Sequence, residues 1–178
     1  MRQHAQAELA LIHHQRLLTE ALSKLANSEP GSAKAYFLGI AGDGSQSVFR
    51  REIEFVYQQL DRRYAIADRS VLLVNHHDTA ELWPLATRQS ISQALDALGR
   101  TMNAERDVLF LYMTSHGSKE HDFYLNHDNI KLPDISPTEL KEMLDQAGIQ
   151  WRVLMVSACY SGGFVPVSYT HLTLPTMD

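Results

Sequence analysis

The sequence predicts an α/β fold in which a mainly parallel sheet carries helices on both faces. Three observations predict it. Short apolar runs of four or five residues alternate with longer segments of helical apolar spacing. Glycine and turn residues separate them, as βαβ units require. Two of the runs lead directly into loops that hold a histidine and a cysteine, Ser115-His116-Gly117 and Ala158-Cys159.

From Gln6 to Ala26, Leu11, Leu18, Leu22 and Leu25 recur at spacings of seven, four and three, one apolar stripe of a helix packed outside the sheet. Ser28, Pro30 and Gly31 then break the chain. Residues 1–30 are therefore expected to form a helix and linker ahead of a domain over 31–165. Tyr36-Phe37-Leu38-Gly39-Ile40 is continuously apolar and ends in Gly42-Asp43-Gly44, which suits a central strand followed by a loop. Phe49, Ile53, Val56, Tyr57, Leu60 and Tyr64 share one helical face, with Arg50, Arg51, Glu54 and Gln58 on the others.

Val71-Leu72-Leu73-Val74 supplies a second strand. Ile91, Leu95 and Leu98 mark the next helix, with Gly99 expected as its C-terminal cap. Val108-Leu109-Phe110-Leu111-Tyr112 is the third strand. Asn126-His127-Asp128-Asn129 is turn chemistry between Phe123-Tyr124-Leu125 and Ile130-Lys131-Leu132, a small hairpin. Ser136-Pro137-Thr138-Glu139 reads as a capping box with proline at the first helical position, and Leu140, Met143, Leu144 and Ala147 carry that helix to Gly148. Val153-Leu154-Met155-Val156 is the fourth strand.

At 178 residues and 44% hydrophobic, the chain has material for one well-buried domain. The net charge of −5 is dispersed, and no run of lysine and arginine tracks a phosphate backbone, which excludes nucleic acid as an expected partner. No apolar stretch approaches the roughly 18 to 20 residues that span a bilayer. The single cysteine cannot form an internal disulfide, so Cys159 is either a core thiol or a reactive one.

The ligand crevice of a parallel sheet lies beyond the carboxyl ends of its strands. Neighbouring third and fourth strands would set the His116 imidazole and the Cys159 thiol across one crevice. There the imidazole can take the thiol proton and return it to a leaving amine. The amides of Gly117 and of Cys159 are candidate oxyanion donors, glycine permitting close backbone approach. Gly162 and Gly163 keep the following loop tight. Ser161 lacks a Gly-x-Ser-x-Gly elbow and reads as a loop hydrogen-bonder. His76-His77-Asp78, His121-Asp122 and His127-Asp128 raise the question of a metal, but none has helical i, i+4 spacing, and neither metal nor cofactor is expected.

The apolar strand into His116-Gly117 and the apolar strand into Ala158-Cys159 with Ser161-Gly162 resemble the two signature segments of the legumain, or asparaginyl endopeptidase, family of caspase-like cysteine peptidases. Ala41-Gly42-Asp43-Gly44 and Phe49-Arg50 extend the resemblance over roughly residues 35 to 165. The resemblance implies a caspase-like three-layer sandwich and peptide-bond hydrolysis through a thioester acyl-enzyme, with His116 and Cys159 as the dyad and peptide or protein as substrate. It implies that Arg50 helps form the pocket for the residue before the scissile bond. Where legumains place an asparagine that orients the histidine, the nearest match is Asp43, whose carboxylate is an equally good acceptor for imidazole. Asp43, flanked by glycines, also reads as a turn former, and Arg50 as a solvated charge on a helix.

A transamidase using the same acyl-enzyme, and a catalytically silent binding domain of the same fold, are the alternatives. From about Pro166 the sequence departs from the resemblance, and residues 166–178 are expected to be a non-native tail, with the sheet truncated after its fourth strand and that strand's core left open. The leading helix reads as the start of a fragment, compatible with the soluble domain of a longer exported or membrane-anchored protein.

Overall fold

The computed structural model describes residues 2–127 and 130–167. Asp128 and Asn129 of the expected hairpin turn, and the expected foreign tail from residue 168 onward, lie outside the described residues. Helix α1 (Arg2–Ser23) leads into strand β1 (Ala35–Ala41), helix α2 (Ser47–Tyr64), strand β2 (Ser70–Val74), helix α3 (Arg88–Thr101) and strand β3 (Val108–Thr114). The short strands β4 (Asn126–His127) and β5 (Ile130–Lys131), helix α4 (Pro137–Gln146), strand β6 (Arg152–Ser157) and a 3-10 segment, Ser161–Val167, complete them. Strands β2-β1-β3-β6 form one sheet in that order, every pair parallel, while β4 and β5 pair antiparallel as a hairpin. The expected α/β architecture, a parallel sheet flanked by helices and consistent with a caspase-like sandwich, is the one observed.

Alternation along the strands divides the core. Tyr36, Leu38 and Ile40 of β1, Val71 and Leu73 of β2, and Leu109, Leu111 and Met113 of β3 face one way, into a continuous core with α3, α4 and Leu18 of α1. Ala41 and Val74 face the other way and meet Phe49 and Ile53 of α2. Helix α2 keeps only the first half of its expected apolar stripe buried: Phe49 and Ile53 are in the core, but Tyr64 is 41% exposed and stacks on Phe110. The sheet face under α2 is thus less completely covered than its opposite.

Three local expectations are corrected. Asn126 and His127, expected in the hairpin turn, form its first strand, β4. Leu11 is 54% exposed, because the stripe of α1 that faces the protein runs through Ala10, Leu17 and Leu18 instead. Gly99 is not a cap: α3 continues to Thr101, and a Cβ at Gly99 would overlap the Ala147 carbonyl oxygen at the end of α4. The glycine lets two helices approach, a packing role in place of a left-handed turn. The Ser136/Glu139 capping box forms as expected, with Glu139 N–H donating to Ser136 Oγ at 3.2 Å and Ser136 N–H donating to Glu139 Oε2 at 2.9 Å.

Among the described residues strand β6 is an edge of the sheet, and Val153, Leu154, Met155 and Val156 are only half-buried, whereas Tyr36, Phe37, Leu38 and Ile40 of β1 are fully buried. No helix among the described residues is long and apolar enough to cross a membrane.

Candidate active site

Register places the site. Ala41 pairs with Thr114, and Thr114 with Ser157, so β1, β3 and β6 end level and their exit loops lie side by side. Gly42 N–H donates to Thr114 O at 2.9 Å and Ser115 N–H to Ser157 O at 3.2 Å, continuing both ladders by one residue. The next residues along these exits are Asp43, His116-Gly117 and Ala158-Cys159.

The loop after β3 is strongly anchored. Ser115 is buried and its hydroxyl donates to Tyr124 O at 2.7 Å. Tyr124 N–H donates to His116 O, and Ser118 N–H to Asp122 O, each at 3.0 Å. Those two bonds flank the Gly117–Phe123 antiparallel bridge, which is therefore a non-hydrogen-bonded pair whose own amides point away from each other. Gly117 presses on the cysteine loop: a Cβ there would overlap the Cys159 carbonyl oxygen and sit 3.5 Å from the Ala158 Cβ. Cys159 is exposed.

His116 is half-buried and is met from α2. The Phe49 ring stands edge-on to the imidazole, 5.1 Å between centroids at 84°. Gln46 Nε2 lies 3.2 Å from His116 Nε2. Gln46 occupies the N-cap position of α2 with extended backbone but makes no side-chain cap, which leaves its amide to reach the imidazole. Asp43 does something else. Its Oδ1 accepts from Ser45 N–H at 2.7 Å and from the Ser45 hydroxyl, and it makes no hydrogen bond with His116 among the described residues. The turn-former reading of Asp43 describes these contacts.

Arg50 follows Gln46 by four residues on the same side of α2 and pairs with Glu54 at 3.0 Å, while its Nε is buried without a hydrogen-bond partner. Beneath the loops, Glu52 accepts from Tyr112 OH at 3.3 Å and from the Thr114 hydroxyl. Burial, and then the Glu52 carboxylate, push the Tyr112 phenol up, so it stays a neutral donor. Gln46 and Glu52 were not singled out in the sequence as site residues; a glutamine directly before a helix is a poor capper, and that is the one signal that its side chain has another use.

His76, His77 and Asp78 bring three possible ligand atoms within 4.8 Å of one another. The His76 ring, however, is the N-cap of the 3-10 turn His77–Thr79: its Nδ1 accepts the Asp78 N–H at 3.2 Å, so that lone pair is spent on the backbone. His121 and Asp122 belong to the tight turn after Ser118, and His127 is buried in the hairpin.

The level strand ends set a histidine loop and a cysteine loop against each other, residue types that can serve as base and thiol nucleophile. The chain belongs to the Peptidase C13 family, the legumain family of cysteine peptidases, whose family model matches residues 35–97 and 88–175. The second match runs past residue 166, over most of the segment expected to be foreign. A comparison with curated proteins finds no match.

Proposed function

We propose that the protein is a cysteine endopeptidase in which His116 and Cys159 form the catalytic dyad. The observation that carries this reading is the contact of Gly117 with the Cys159 carbonyl, which holds the histidine loop directly against the cysteine loop. His116 takes the thiol proton, and the sulfur attacks the scissile carbonyl carbon. The C–N bond then breaks as the imidazolium returns its proton to the departing amine, leaving a thioester. Water, deprotonated by His116, hydrolyses the thioester and restores the thiol.

The amides of Gly117 and Cys159 are the oxyanion donors in this scheme. The non-hydrogen-bonded pairing of Gly117 with Phe123 supports the first, since it leaves the Gly117 N–H unspent on the hairpin. Gln46 supports the base. Turned so that its carbonyl faces the ring, its amide accepts from His116 Nε2–H and leaves the Nδ1 lone pair for the thiol proton. Arg50, one turn along α2 with a buried unsatisfied Nε, is the proposed contact for the substrate residue before the scissile bond.

The test is cleavage of a peptide library spanning asparaginyl, aspartyl and basic positions by the protein and by Cys159→Ala. Cleavage confined to the unsubstituted protein supports the dyad and reads out the preferred residue. Peptide joined to an added amine marks transamidation through the same thioester. Equal silence of both proteins favours a binding domain.

A further inference from the structure

We infer that His121 is a positioning residue for Cys159, its imidazole holding the Tyr160 carbonyl and with it the left-handed turn that presents the thiol. This rests on the dyad reading for its catalytic meaning, but the geometry stands independently. Among the described residues only three non-glycines have positive φ: Ala65, His121 at 69° and Tyr160 at 57°. The last two are joined by a hydrogen bond, His121 Nδ1 to Tyr160 O at 2.7 Å. A carbonyl only accepts, so Nδ1 carries the hydrogen.

Left-handed backbone is unfavourable for residues with a Cβ and persists where surrounding contacts hold it. Tyr160 directly follows Cys159, so the φ it adopts sets the direction in which the chain leaves the nucleophile. Tyr160 is 52% exposed and is not buried in a way that would enforce the turn. The imidazole supplies the constraint from outside. Gly163 completes it: a Cβ there would overlap the His121 ring, so the loop's glycine makes the seat in which the imidazole lies.

The histidine itself is held by the base's own loop. His121 N–H donates to Ser118 O at 3.0 Å, and Asp122 N–H to Ser118 Oγ at 3.1 Å, closing a tight turn that begins one residue after Gly117. The segment from His116 to His121 therefore grips the cysteine loop at two places, at the Cys159 carbonyl through Gly117 and at the Tyr160 carbonyl through His121. One rigid turn sets both partners of the dyad.

Cys159 is the one cysteine in the chain, so alkylation by iodoacetamide reads its reactivity without any substrate. His121→Ala is expected to lower both kcat for peptide cleavage and the alkylation rate by about tenfold, with KM changed less than about twofold, because misplacement of a nucleophile acts on the reacting geometry. His121→Asn keeps a side-chain N–H in the place of Nδ1 and tolerates positive φ, and it is expected to recover both rates to within about threefold. Thermal unfolding of each variant confirms that the fold is retained. Alkylation of His121→Ala at the unsubstituted rate, or an Asn variant no better than Ala, overturns the assignment. If Cys159→Ala cleaves peptides as well as the unsubstituted protein, the dyad reading fails, while the alkylation comparison still decides whether His121 positions the thiol.

Discussion

The two loops that meet at the site are built differently. The His116 loop leaves a central strand: Thr114 and Ser115 are buried, the hairpin closes over them, and Gln46 and Phe49 reach the imidazole from α2. The Cys159 loop leaves an edge strand whose apolar residues are half-buried, and both Cys159 and Tyr160 are exposed. Burial locates the proposed base, whereas a few directional contacts locate the proposed nucleophile. Small changes in the first region should be absorbed by packing; equally small changes in the second should be felt at the sulfur.

The sharpest way to break this contrast is Gly117→Ala. The added methyl would have to displace the Cys159 carbonyl, and kcat/KM is expected to fall about 100-fold, the cost of a misplacement near 1 Å. Gly162→Ala, with nothing within 4 Å of the new Cβ, is the matched control and should change kcat/KM less than about twofold.

Arg152→Met tests the far support of the cysteine loop. The buried guanidinium donates to Val167 O at 2.9 Å, Ile149 O at 3.1 Å and Asp145 Oδ1 at 3.0 Å. Leaving buried carbonyls unsatisfied is expected to cost about 2 kcal/mol, visible as a lower urea midpoint. Gln46→Ala removes a single hydrogen bond to a well-packed imidazole and should lower kcat roughly three- to tenfold without moving that midpoint.

The smallest effect is one of pH. The Lys141 ammonium hydrogen bond holds the Asp145 carboxyl below its ordinary range, burial opposes this, and Arg152 adds to it. A carboxylate depressed on folding contributes stability that is full above its unfolded value and lost as pH falls through its folded one. Asp145→Asn is therefore expected to flatten the loss of stability below about pH 4, with a modest amplitude because the carboxylate is 40% exposed.

The four strands of the parallel sheet were legible because each holds a short, continuous apolar run, and the capping box at Ser136 because its partners are three residues apart. Thr87 and Ser90 form a second box that the sequence reading missed, since serine in place of glutamate or glutamine at the third helical position weakens the signal. Gly99 was misread because a glycine just after a last periodic leucine looks the same whether it caps a helix or admits another helix's carbonyl. Leu11 was misread because the buried line of α1 passes through Ala10, which a count of leucines omits.

At the site, the side-by-side placement of the His116 and Cys159 loops was legible on the condition that the third and fourth core strands pair, as β3 and β6 do. Gln46, Asp43 and His121 could not be sorted in the same way. All are polar loop residues without periodicity, and which one meets the imidazole, which closes its own turn and which holds the cysteine loop is decided by how separate loops come together.

That the chain's one thiol is exposed at the site has a consequence for oxidation. A peroxide that converts Cys159 to its sulfenic acid finds no second cysteine in these 178 residues to condense with, so nothing within them traps the first oxidation product as a disulfide. Recovery then falls to a thiol supplied from solution, and without one a second equivalent of peroxide carries the sulfur to the sulfinic acid, from which ordinary thiols do not return it.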